Sequence, residues 1–128
     1  MKRYIRASYE ISPELEEFNQ KLTADPYFDI KVAQPASEVL NRGGYIYIFK
    51  VKGGTNVYRL FADDRDMQLI FQYIAEAFYI DGKEYYDDAV DVADTSDAPI
   101  SEWYDLVKHW VKLAEVQDPD FTHYEYEE

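Results

Sequence analysis

Cysteine is absent from this chain of 128 residues, which excludes disulfides, thiolate metal sites and thiol catalysis together. Stability has to come from packing. Histidine occurs only at His109 and His123, and two histidines without a third ligand at helical spacing argue against a zinc site. Long apolar runs are missing too: the basic opening MKRYIRASYE leads straight into ISPELEEFNQ, with no stretch of the length a signal peptide or membrane span needs. The chain therefore reads as soluble and cytoplasmic. There is no glycine-rich phosphate loop, because KGGTNVY is a hairpin turn.

Cations are scarce in one half only. Residues 1–65 carry ten Lys/Arg against nine Asp/Glu, and residues 66–128 carry three against seventeen, within a net charge of −13. Such asymmetry implies a directed field and a partner of opposite sign. Nucleic acid and anionic membrane surfaces both attract cations, so direct binding to either is disfavoured.

What is present suffices for a core. Hydrophobic residues make up 47% of the chain, and a chain of this length forms about one domain, with about two-thirds of its unfolded surface buried. We read 1–128 as a single domain, with 115–128 as an acidic tail that is either free or paired as an edge strand through Phe121, Tyr124 and Tyr126.

Ser12, Pro13 and Glu14 read as N-cap, first-turn proline and first-turn acid, with Leu15, Phe18 and Leu22 at helical spacing. A helix over 13–24 follows, stopped by Pro26. YFDIKVA at 27–33 alternates as a half-buried strand does, and 36–40 holds at most a short turn. Two β-branched and aromatic runs flank Gly53 and Gly54, predicting a hairpin over 44–62. Pairing Lys52 with Thr55 gathers Tyr45, Tyr47, Phe49, Val51, Tyr58 and Leu60 on one face. Ile46, Ile48, Lys50, Lys52, Val57, Arg59 and Phe61 take the other. Met67, Ile70, Phe71, Ile74 and Phe78 fall at helical spacing and predict an amphipathic helix, capped by Asp63 or Asp64 and left at Gly82. Pro99 opens a last helix with Trp103, Val107, Trp110 and Ala114 on its buried stripe. The sum is an α+β domain: a small antiparallel sheet of three to four strands, the fourth supplied by KRYIRASY, packed with three helices.

The segment YYDDAVDVADTSDAP, 85–99, holds Asp87, Asp88, Asp91, Asp94 and Asp97 and no cation. In a helix, acids three residues apart rise about 4.5 Å, not far from the 3.4 Å phosphate rise of one DNA strand. In a strand the spacing becomes about 10 Å and alternates faces. The competing reading is a solvated connector. A calcium loop does not fit, since DVADTSD lacks the turn glycine and the distal glutamate. Tyr45, Tyr47 and Tyr58 suit base stacking in type, but no basic groove accompanies them, and tyrosine in strands is ordinarily a packing residue. Tyr85, Tyr86, Tyr124 and Tyr126 differ in sitting among acids, where they suit an Arg-rich surface. His109, four residues after Asp105, has Lys108 and Lys112 nearby, but no nucleophile motif goes with it.

MKRYIRASYE resembles the start of many short proteins of Gram-positive phages and mobile elements. The acidic, Tyr-bearing segments YYDDAVDVADTSD and FTHYEYEE are similar to those of phage inhibitors that occupy the nucleic-acid groove of host-defence proteins, such as anti-CRISPR proteins. The resemblance implies a non-enzymatic inhibitor that needs no cofactor or metal. Its expected partner is a basic, nucleic-acid-handling protein, on which Asp87, Asp88, Asp91 and Asp94 stand in for phosphates and Tyr85 and Tyr86 pack against Arg stems. Asp97, Tyr124, Glu125 and Tyr126 complete the expected contact set. The alternative is a phage structural or adaptor protein that binds its partner through aromatic surface, and a metal-dependent hydrolase is a third.

Overall fold

Ser12 caps the first helix as its position predicts: its side chain accepts a hydrogen bond from the Leu15 N–H at 3.1 Å. The computed structural model describes residues 10–80 and 83–116, with the backbone course alone for 75–80 and 83–88. Helix α1, Pro13–Ala24, buries Leu15, Phe18 and Leu22 and ends at Asp25, one residue before Pro26. Strand β1, Phe28–Pro35, and a short 3₁₀ turn, Ala36–Glu38, lead to β2, Tyr45–Val51, and β3, Val57–Asp63. The β2–β3 register runs from Tyr45↔Ala62 to Phe49↔Tyr58, which is the register that pairing Lys52 with Thr55 sets. Gly53 supplies the turn with φ +81. Gly44 is needed for a different reason: at φ +87, a Cβ there would lie 2.0 Å from the Ala62 carbonyl oxygen.

The chain then departs from its helical spacing. Gln68–Ile80 is strand β4 and Lys83–Thr95 is strand β5, so the helix expected from Asp63 to Gly82 does not form. The five strands form one antiparallel sheet in the order β1-β2-β3-β4-β5. The domain is α+β as expected, but with five strands in place of three or four and, among the described residues, two α-helices in place of three. Asp63 does not cap a helix; its carboxylate accepts from the N–H groups of Arg65 and Asp66 at 2.9 and 3.1 Å and so holds the β3–β4 turn. Met67 completes that turn at φ 52.

Two periods coexist in QLIFQYIAEAFYI. Leu69, Phe71 and Tyr73 alternate toward the core while Ile70 and Ile74 face the other way, and a segment apolar on both faces also matches a helical template. Its Ile, Phe and Tyr content favours a strand, and β3 offers it a ladder. The fourth strand expected from KRYIRASY and the edge strand expected from the tail lie outside the described residues.

After a second 3₁₀ turn, Ile100–Glu102, helix α2, Trp103–Val116, buries Trp103, Val107, Trp110, Val111 and Ala114. Both helices lie on the tyrosine-bearing face of the sheet, where Phe18 meets Tyr47 and Trp103 edge-on and Trp110 stacks on Phe71. Large side chains buried there contribute about 1.5–3 kcal/mol each before entropy. Ile48 and Ile74 are buried on the opposite face, beside half-buried Lys50, Val57, Arg59 and Phe61. No helix among the described residues is long and apolar enough to cross a membrane.

Candidate functional site

The acidic segment forms an edge. Among the described residues, strand β5 has β4 as its only neighbour in the sheet, and its thirteen residues span about 43 Å at 3.3 Å per residue. The β3–β4 ladder stops at Val57↔Ile74, whereas β4–β5 pairing continues to Ile80↔Lys83. Beyond Ile74 the two strands therefore run past the end of β3, as a two-stranded ribbon among the described residues. That ribbon carries Tyr85, Tyr86 and Asp87 at register positions opposite Phe78, Ala77 and Glu76, and Asp88 follows.

The segment is extended, so the helical spacing of its acids is not realised. A β-bulge changes the consequence. The register steps from Gln72↔Asp91 to Phe71↔Ala93, which leaves Val92 as the extra residue, and that side chain is buried in the core. Asp91 and Asp94, paired with Gln72 and Ile70, thereby come to the same face of the sheet, where both are exposed. Their pair positions are two steps apart, about 6.8 Å, equal to two axial phosphate steps of about 3.4 Å each. Without the bulge, residues three apart would face opposite ways. Asp87 shares the strand parity of Asp91, and Asp88 does not.

Asp91 is not left without a cation. Gln72 Nε2 donates to Asp91 Oδ1 at 2.7 Å, and Arg59 Nε donates to Gln72 Oε1 at 2.8 Å. This relay crosses β3, β4 and β5. Burial disfavours the charge on Arg59, and Asp91 opposes that effect. The guanidinium groups of Arg59 and Arg42 lie 5.2 and 5.4 Å from the Phe61 ring centre, within cation–π range. Arg42 in turn donates to the buried carboxylate of Asp63, at 3.0 Å from Nη2. Asp94 has no hydrogen-bond or ion-pair partner among the described residues. Asp97 is occupied locally, accepting from the Thr95 hydroxyl at 3.0 Å as the strand ends. Tyr124, Glu125 and Tyr126 lie outside the described residues.

The sheet tyrosines do not form a stacking platform. Tyr47 and Tyr58 are fully buried, with their hydroxyls donated to Asn19 at 2.8 Å and Glu115 at 2.5 Å, and burial raises the Tyr47 pKa. His109 is exposed; its neighbour Lys108 makes the notable contact. Lys108 Nζ donates to Asp25 Oδ2 at 2.7 Å, the Tyr104 hydroxyl donates to the same oxygen, and the Tyr27 N–H donates to Oδ1 at 3.0 Å. Burial pushes the Asp25 carboxyl up, but these donors outweigh it and hold the group at about 2. The cluster sits at an open cleft lined by Lys21, Ala24, Asp25, Pro26, Tyr104 and Asp105, where it joins the end of α1 to the start of α2. Sequence spacing gives no sign of it, because Asp25 and Lys108 are far apart in the chain. Among the described residues no group of three or more His, Cys, Asp or Glu is placed to hold a metal ion.

Comparison with known proteins yields no relative: no family model matches the chain, and no curated protein or solved structure matches it.

Proposed function

We propose that the protein is a non-enzymatic inhibitor of the anti-CRISPR-like type, which docks its acidic edge strand on the basic, nucleic-acid-binding surface of a host protein and stands in for phosphates there. The observation that carries this reading is the placement of Asp91 and Asp94. The bulge at Val92 brings both onto one face of the sheet, where both side chains are exposed, with their pair positions about 6.8 Å apart, in a stretch from 84 to 107 that holds no Lys or Arg. The Arg59–Gln72–Asp91 relay holds Asp91 in one orientation, so less side-chain freedom is lost on docking. Association is fast and falls with salt.

The test is capture of partners from a host lysate at about 0.1 M salt, with a wash at about 0.5 M, over which the Debye length shrinks from about 10 Å toward 4–5 Å. A basic nucleic-acid-handling protein, released by the wash and displaced by DNA or RNA, supports the reading. The double variant Asp91→Asn, Asp94→Asn then weakens capture and flattens its salt dependence; unchanged affinity overturns the proposal. A partner retained through the wash favours the adaptor reading instead.

A further inference from the structure

The two edges of the sheet are built differently. Strand β1 has eight residues, carries Lys31, ends on Pro35 and is bulged between Ile30 and Val32, which are the usual means of preventing another strand from pairing. Strand β5 has thirteen residues and no proline, and from Lys83 to Asp91 it pairs with β4 at constant register. Its single bulge, at Val92, falls near the far end. Nine regular residues, about 30 Å, thus present a row of outward N–H and C=O groups that have no partner strand among the described residues. Apart from Lys83 at its start, the charge along this edge is negative, with Glu84, Asp87, Asp88 and Asp91 in the sequence of the nine residues, and that deterrent is selective. A second copy pairing edge to edge would set two acid-rich stretches side by side, each with Lys83 as its one cation, whereas a strand bearing several Lys or Arg would not meet that repulsion.

We propose that β5 accepts an extended, Lys/Arg-bearing segment of the protein partner as a sixth strand. This rests on the reading of β5 as the docking element and specifies how docking occurs. Main-chain hydrogen bonds along 83–91 supply affinity, and side chains at alternate positions of the added strand supply selectivity. A cation at every second position of that strand falls on the face that carries Asp91, as a cross-strand neighbour. The β4–β5 ribbon gains most, because a two-stranded ribbon is marginal alone and a third strand supports it.

The experiment uses the full chain and two labelled peptides of equal charge: ten residues of alternating Lys and Thr, and the same peptide with two adjacent Pro inserted at its centre. Binding is read by fluorescence anisotropy at about 0.1 M salt, and amide hydrogen exchange is followed over 83–91. The Lys-Thr peptide should bind at least about tenfold more tightly than the proline control, whose adjacent Pro break the ladder, one of them by removing a strand hydrogen bond whichever way the strand faces, and should slow exchange at every second amide. Equal binding of both peptides without protection overturns strand addition while leaving charge-driven docking intact. Binding of neither peptide overturns both. Protection of the outward amides in the protein alone means that the chain itself occupies the edge, and this too overturns the proposal.

Discussion

Replacing Asp25 by Asn removes the negative charge, and one of the two acceptor oxygens, on which both helices converge. The carboxyl is held at about 2 against an ordinary 3.8, and a drop of that size is worth about 2.4 kcal/mol at about 1.36 kcal/mol per pKa unit. Lys108 is 30% exposed, so solvent screening reduces the figure to roughly 1–2 kcal/mol. The folded-state pKa lies below the unfolded one. The stabilisation is therefore complete above about pH 4 and is lost as pH falls through about 2, with about half remaining at pH 3. Urea denaturation of wild type and Asp25→Asn at about pH 7 and pH 3 measures it directly. The variant should be less stable at the higher pH by that amount, and the gap should halve at the lower one. Because the other carboxylates titrate in both proteins, the difference isolates Asp25. Equal midpoints at neutral pH, or a gap that stays constant on acidification, would refute the assignment.

Gly44→Ala should prevent folding or cost more than about 3 kcal/mol, since its Cβ would sit 2.0 Å from a backbone oxygen. Gly53→Ala, with open space at the same site, should cost only about 1–2 kcal/mol for its positive φ; thermal denaturation of the pair separates crowding from conformation. Arg42→Ala leaves the Asp63 carboxylate buried with, among the described residues, only backbone donors and should cost about 3 kcal/mol by chemical denaturation. Asp91→Asn, Asp94→Asn should change stability by no more than about 0.5 kcal/mol, because both sites are exposed. A larger loss would mean that the relay through Gln72 carries the fold.

Local chemistry determined much of this protein without reference to the rest of the chain. Ser12, Pro13 and Pro26 bound the first helix, and Gly53 with its flanking β-branched and aromatic runs sets a hairpin whose register and faces follow from the turn alone. These signals lie within a few residues of what they control. Residues 68–80 were different, because a segment apolar on both faces satisfies two periods at once. There the neighbouring strand decided, by offering a ladder along β3 that a helix would have left unpaired.

The acidic run was legible as composition; its arrangement was not. Sequence spacing set Asp91 and Asp94 on opposite faces of any regular strand. The tertiary structure placed them together, because burying Val92 in the core forces one extra residue into β5. Likewise no cation near Asp91 in the chain foretold Arg59, which reaches it through Gln72 only once three strands lie side by side. A chain this acidic was bound to expose carboxylates; which of them face one way, and which hold a partner, was decided by packing between residues distant in sequence.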